Sequence, residues 1–238
     1  MKIGLIVAMD KEFSIIAKEW KPSYKSDCDV IERHGSRYMR LLPTKYAEEV
    51  LVMQCGIGKV NAAIGTMELI RLGVDCIISS GVSGGLVRQC VPGTVVVGTD
   101  YQYHDVYCGD GNEPGQIQGE PAIYKANNEL LDIALSKGSQ NVHFGQILTG
   151  DWFVDTEEKA LEIRKQYPLS YALDMESCAI AQVCNKWNIP FLSYRVISDN
   201  ILNPSTISYD TFWDEMPRKI SQFTMQYIMH VLREYKPF

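Results

Sequence analysis

The stretch "ALDMESCAIAQV", residues 172–183, sets two acids, Asp174 and Glu176, directly before a run of small and apolar residues. Apolar positions then recur at Ala179, Ile180, Val183, Cys184 and Trp187, a helical spacing. The stretch reads as a strand-to-helix junction with carboxylates at its lip. One acid there has a bland explanation, since first-turn acids complement the helix dipole. Two acids around Met175 raise the question of whether the junction faces a ligand.

The same pattern recurs on both sides of this junction. "KIGLIVAM" (2–9), "EEVLVMQCG" (48–56), "DCIISSG" (75–81), "GTVVVGTD" (93–100), "FGQILTG" (144–150) and "PFLSYRVISD" (190–199) are short apolar runs bounded by charge or glycine, as buried strands are. Residues 59–73 carry apolar residues at 60, 63, 64, 67, 70 and 72, which predicts a helix stopped by Gly73. "TEEKALEIRKQY" (156–167) reads as an acidic helix. Residues 209–235 place Phe212, Met216, Ile220, Phe223 and Tyr227 on one stripe, predicting one long amphipathic helix. Strands alternating with helices predict an α/β fold with a central mixed, largely parallel sheet flanked by helices. No repeat or Pro/Gly/Ser-rich linker divides the chain, so residues 1–238 are expected to form a single domain.

Composition narrows the partners. With 46% hydrophobic and 22% charged residues the chain has the makings of a packed globular core. A net charge of −6 argues against a nucleic-acid groove or an anionic membrane surface. No apolar run approaches a membrane span, and the first one is too short for a signal peptide. Seven scattered cysteines without a CxxC pair suggest reduced thiols and a cytoplasmic setting. No cluster has metal-ligand spacing, so neither a metal nor another cofactor is expected.

Ligands on sheets of this kind bind at the carboxyl ends of strands. Five strand ends here carry chemistry: Met9 to Glu12, "GVSGG" at 81–85, Asp151-Trp152-Phe153, Asp174 to Glu176, and Ser198-Asp199-Asn200. Each has a plain structural alternative. "GVSGG" reads as a tight turn about twice as readily as a phosphate cradle. Glu12 and Glu176 are placed as first-turn helix acids, Asp199 as a cap, and His104 as a satisfied structural histidine. The repetition of polar groups at strand ends is the functional signal.

Seven motifs follow in order: "GLIVAMDKE" (4–12), "CGIGKVNAA" (55–63), "SGVSGGL" (80–86), "YHD" (103–105), "LTGDWF" (148–153), "LDMESCAIA" (173–181) and "RVISD" (195–199). Together they resemble the nucleoside phosphorylase/hydrolase superfamily. Within it they are most similar to the 5′-methylthioadenosine/S-adenosylhomocysteine nucleosidase family. The resemblance implies hydrolysis of an N-glycosidic bond with release of adenine. It implies Asp199 as the acid at adenine N7, Glu12 as the base holding the attacking water, and Glu176 against the ribose and its developing positive charge. It also implies Met175 on the sugar, Phe153 stacked on adenine, the Val154 backbone on the base edge, and Arg195 steadying the water and its carboxylate neighbours. Met9, Ile57, Val82, Ser198 and Tyr209 match positions lining the same site. A nucleoside substrate and a homodimer with sites completed across its interface are the implied partners.

The residue types suit that chemistry. A departing purine needs an acid, the cationic sugar needs negative charge, and water needs a base. Carboxylates at the first strand end would repel phosphate, which favours hydrolysis over phosphorolysis. Three departures stand out. Val82 replaces a usual serine, Trp152 replaces a small residue, and "CGDGNEPGQIQGEP" (108–121) is polar where relatives cover the 5′ group with apolar side chains. Asp110, Asn112, Glu113 and Gln118 in that stretch predict a polar 5′ pocket. The rival functions are a hydrolase of another 5′-substituted purine nucleoside (futalosine-like), a purine nucleoside phosphorylase, and a non-catalytic nucleoside-binding protein.

Overall fold

A computed structural model describes residues 1–20, 30–41, 49–136, 141–203, 208–216 and 218–235. Cys28 lies outside them. Among the described residues ten strands form one sheet: β1 (Lys2–Val7), β2 (Ile31–Arg33), β3 (Ser36–Leu41), β4 (Glu49–Gln54), β5 (Cys76–Gly85), β6 (Val95–Tyr103), β7 (Tyr124–Lys125), β8 (Val142–Thr149), β9 (Ser170–Asp174) and β10 (Phe191–Asp199). The described residues also form the helices α1 (Asp10–Trp20), α2 (Lys59–Arg71), α3 (Asn128–Ser136), α4 (Glu157–Gln166), α5 (Ser177–Trp187), α6 (Tyr209–Glu215) and α7 (Arg218–Glu234).

The sheet runs β10-β6-β8-β9-β5-β1-β4-β3-β2, and β10 also pairs with β5. That extra pairing closes β5, β10, β6, β8 and β9 into a ring, from which β1, β4, β3 and β2 extend. The sheet is mixed. β1 is parallel to β4 and β5, and β10 to β5, while β10–β6 and β5–β9 are antiparallel. β1 is buried along nearly its whole length, because both of its faces are covered.

Several elements depart from the sequence expectation. "GVSGG" is not a turn: β5 runs unbroken through Gly85. The C-terminal stripe belongs to two helices. Met216 ends α6 outside the helical region (φ −127°, ψ 29°), in keeping with the proline that follows it in sequence, which disfavours that region. On α2 the N-terminal part of the apolar stripe faces outward, while Ile70 and Leu72 pack against the core. Val60 is 69% and Ile64 38% exposed, whereas Ala62, Gly65, Thr66 and Leu69 are buried. Gly65 sets this orientation, since a Cβ there would stand 2.5 Å from Cys55 Cβ, so α2 lies closer to the sheet than a larger side chain allows. Trp187 likewise points outward from α5, 54% exposed. Gly73 does follow α2 in a left-handed conformation (φ +76°), as a C-terminal stop should. No described helix is long and apolar enough to cross a membrane.

Candidate active site

All twelve site residues expected from the sequence surround one cavity at the carboxyl ends of β1, β5, β9 and β10: Met9, Glu12, Ile57, Val82, Phe153, Val154, Met175, Glu176, Arg195, Ser198, Asp199 and Tyr209. Ala8, Ser83, Gly84, Trp152, Leu173 and Asp174 complete its walls.

Glu12 sits in the first turn of α1 and is buried. Its carboxylate turns back to accept the N–H groups of Met9 (2.9 Å) and Ala8 (3.1 Å), half of a capping box. The first-turn placement of Glu12 is therefore correct as geometry, yet the other oxygen accepts the Val82 N–H at 3.0 Å and so ties α1 to β5. Val82 serves this contact through its main chain, which the change of side chain leaves intact. Burial raises the Glu12 carboxyl above its ordinary range, against the Met9, Val82 and Ala8 amides and the Arg195 charge. Gly81 makes room for the arrangement. A Cβ there would lie 2.5 Å from Arg195 Nη1 and 2.6 Å from Glu12 Oε1.

Glu176 precedes α5 but does not cap it with its side chain. Oε1 instead accepts the Gly58 N–H at 3.1 Å, at the start of α2. The capping falls to Asp174, whose Oδ1 accepts the N–H groups of Glu176 (3.2 Å) and Ser177 (3.1 Å) and the Thr149 hydroxyl (2.6 Å). This role went unassigned in the sequence. An Asp two and three residues before the amides it accepts is the local signal that could have found it.

Arg195 is buried at the centre. Nε lies 2.8 Å from Asp174 Oδ2, and Nη2 lies 3.6 Å from Glu176 Oε2 and 3.1 Å from Ser79 Oγ. Its Nε and Nη2 donors are engaged within the protein. Among the described residues that line the cavity, Glu12, Asp174, Glu176 and Asp199 are acidic and Arg195 is the one cation; the Asp174 carboxyl is itself buried against Arg195. Arg37, which pairs with Asp10 near the end of β1, does not line it.

A register shift between Ile197 and Asp199 at the end of β10 presents the Asp199 carboxyl to the cavity beside Gly84. Burial raises its pKa, and the Ser198 hydroxyl, 2.6 Å from Oδ1, opposes the shift. Across the cavity, Phe153 is 58% exposed and meets Tyr209 edge-on at 5.7 Å. The Tyr209 hydroxyl reaches Met9 Sδ at 3.4 Å.

Three expectations look different in place. His104 Nε2 is buried without a hydrogen-bond partner, and burial lowers its pKa, so the ring is packed against Gly150 as a neutral imidazole. Trp152 lies at the cavity rim with Lys159 Nζ 5.2 Å from its ring. Asp110, Asn112, Glu113 and Gln118 do not reach this chain's own cavity, whose far wall is formed by Met9, Ile57, Phe153 and Tyr209. Among the described residues no cluster of His, Cys, Asp and Glu is arranged to hold a metal ion.

A closed ring of strands with a carboxylate-lined cavity at their ends is the architecture of a nucleoside-processing superfamily. The chain belongs to the phosphorylase superfamily, whose sequence profile matches residues 2–229. A 5′-methylthioadenosine/S-adenosylhomocysteine nucleosidase of Haemophilus influenzae is 34% identical over 89% of this chain and 92% of its own length. One from Desulfotalea psychrophila is 32% identical over 99% of both chains. Among solved structures, the Streptococcus pneumoniae nucleosidase of the same description, bound to a transition-state inhibitor, superposes with a TM-score of 0.84 at 28% identity, covering 99% of this chain and 100% of that one. The futalosine hydrolase of Helicobacter pylori superposes with 0.85 at 25% identity, covering 96% and 97%.

Proposed function

We propose that the protein hydrolyses the N-glycosidic bond of 5′-methylthioadenosine and S-adenosylhomocysteine, releasing adenine. One observation carries the choice of water over phosphate. Glu12, Glu176 and Asp199 line the cavity, and among the described lining residues the one cation, Arg195, is already held by Asp174 and Glu176. A phosphate dianion entering there would be repelled, whereas a sugar gaining positive charge would be stabilised.

In this reading Asp199 delivers a proton to N7 as the C1′–N9 bond breaks. Its buried carboxyl, raised in pKa, is suited to holding that proton. Glu176 accepts the ribose hydroxyls and faces the oxocarbenium ion. Glu12 takes a proton from the water that attacks C1′, and its raised pKa strengthens it as a base. Phe153 stacks on adenine, Val154 bonds the base edge through its backbone, and Met175 packs on the sugar. Met9, Ile57 and Tyr209 enclose the 5′ group. Arg195 and Ser198 act by holding Glu176 and Asp199. Water and three carboxyl groups suffice for these steps, so the reaction calls on no cofactor.

The outward Val60–Ile64 stripe of α2, continuous with exposed Ile57 at the cavity, supports a homodimer that buries this face. Sedimentation should then give twice the chain mass. Five of the six described cysteines are buried free thiols, which fits the cytoplasm.

The test is base release from a nucleoside panel with and without phosphate. Free adenine released from 5′-methylthioadenosine at a rate independent of phosphate is expected. A sugar phosphate as product would make the protein a phosphorylase. Turnover confined to futalosine-like nucleosides would favour the second hydrolase reading, which the polar 108–121 stretch supports if a partner subunit brings it to the site.

A further inference from the structure

Two of the seven motifs, "GIGK" and "YHD", carry side chains that the reaction leaves unused: Lys59 and Asp105. Lys59 Nζ donates to both Asp105 oxygens, at 2.9 and 2.8 Å. Asp105 Oδ2 also accepts the Asp151 N–H at 2.8 Å. Asp151 Oδ1 in turn accepts the Lys59 N–H at 2.8 Å, and its Oδ2 lies 3.9 Å from Lys59 Nζ. These contacts close a ring through the start of α2, the segment after β6 and the loop after β8.

The ring lies outside the cavity lining but adjoins it, since Asp151 directly precedes the lining residues Trp152 and Phe153 and the Gly58 amide beside Lys59 donates to Glu176. α2 begins with glycine as its N-cap, has no side-chain cap and carries no acid in its first turn. Its free amides are instead taken by two distant carboxylates, Asp151 on Lys59 and Glu176 on Gly58. Gly58 has φ +96°, and a Cβ on it would meet Asp151 Oδ1 at 3.0 Å, so the fit depends on glycine. Trp152 and Phe153 follow Asp151 directly. One small ring thus touches both the anchor of the ribose carboxylate and the root of the base-stacking aromatic.

We infer that Lys59, Asp105 and Asp151 form a positioning ring that holds Glu176 and Phe153 in register, so that ribose and base are gripped at a fixed separation. The inference rests on the proposed nucleosidase reading for its consequences in turnover. Stability alone is a poor reason for the ring. The Lys59 and Asp105 side chains are each 23% exposed, and partly exposed pairs add little to folding.

The test compares Asp105→Asn, which keeps the shape of the side chain, with Lys59→Met and Lys59→Arg in the full-length protein. Four quantities are measured: melting temperature, kcat and KM for adenine release, the pH profile of kcat/KM, and hydrogen exchange of peptides spanning 56–60 and 151–155. Asp105→Asn and Lys59→Met should lower kcat by about tenfold or more through misplaced groups, with melting shifted by only a few degrees. The acid limb of the profile should move to higher pH, because the Gly58 amide helps to keep Glu176 ionised. Both peptides should exchange faster, and Lys59→Arg should recover part of each loss. Unchanged exchange in both peptides, or loss of turnover no greater than loss of folded protein, would overturn the inference. Should the wild type release no base from any nucleoside, the functional reading fails, and exchange still decides whether the ring holds the two segments together.

Discussion

Arg195 Nε lies 2.8 Å from Asp174 Oδ2, and the two side chains are 2% and 1% exposed. Around this pair the site is assembled. Asp174 caps α5 and so sets Glu176, while Arg195 adds its charge beside Glu176 and Glu12. Removing one charge from a buried pair costs about 3–5 kcal/mol, because the other is left uncompensated. Asp174→Asn should therefore lower the melting temperature by roughly 6–20 °C at 2–4 °C per kcal/mol. Asp174→Glu, which keeps the charge, should lose less. Thermal unfolding at pH 7 checks both. A shift of only a degree or two for Asn would mean that Arg195 finds enough counter-charge in Glu176.

Gly81→Ala should damage the site more than the fold. The added methyl would compete with Arg195 Nη1 and Glu12 Oε1, both nearer than 2.7 Å, so the Glu12 carboxylate must move. Displacement of a reacting group by about 1 Å can cost on the order of a hundredfold in rate. The measurement is kcat/KM alongside melting temperature. Near wild-type turnover would show that the β5 backbone yields instead.

The strands and the cavity residues were legible because they are written locally. Buried strands are continuous apolar runs, and the strand ends carry Met9, Glu12, Glu176 and Asp199. Three features were not legible, for physical reasons. Glycine lets β5 continue through "GVSGG", where its usual reading is a turn, because the Arg195 and Glu12 side chains fill the space above Gly81 and the Cys90 carbonyl and Asn200 side chain that above Gly85. The outward face of α2 follows from a close approach at Gly65, which outweighs the apolar periodicity of Val60 and Ile64. The pairing of Glu176 with Gly58 spans 118 positions, and no local pattern encodes it.

Asp199→Asn should lower kcat by about a hundredfold or more while leaving KM within a few-fold. The proton matters as the leaving base gathers charge, so its loss falls on the transition state. Asn keeps an acceptor for the Ser198 hydroxyl, now 2.6 Å from Oδ1, so the strand end should keep its shape. Steady-state kinetics on 5′-methylthioadenosine checks this. Wild-type kcat in the variant would reduce Asp199 to a structural end-cap of β10.

The wall formed by Met9, Ile57 and Tyr209 predicts preference for an apolar 5′ group. Each methylene buried there contributes about 0.8 kcal/mol, close to fourfold in affinity. 5′-Methylthioadenosine should therefore exceed adenosine in kcat/KM by about tenfold or more. Equal values would mean that polar groups, such as those of the 108–121 stretch from a partner subunit, reach the 5′ side.

The ligand-free protein should become less stable as pH rises through the titration of Glu176. Burial pushes its carboxyl up to about 7, with the Arg195 charge and the Gly58 amide opposing and Asp174 and Glu12 adding to the rise. An unfolded glutamate titrates near ~4.3. Between these values the folded state holds more protons than the unfolded chain, so raising pH favours unfolding. The contribution is fully present below the unfolded pKa and is lost as pH passes the folded one. Glu176→Gln is neutral throughout and keeps an acceptor for Gly58. Its melting temperature relative to the wild type should accordingly rise between pH 5 and pH 8, by a few degrees in total, while its turnover is lost. Glu12 titrates in both proteins but interacts with Glu176, so the difference reports Glu176 together with its effect on Glu12. A gap that stays constant or narrows over that range would show that Arg195 and the α2 amide hold Glu176 ionised well below neutrality, and that the site binds its cationic sugar without storing charge repulsion in the empty state.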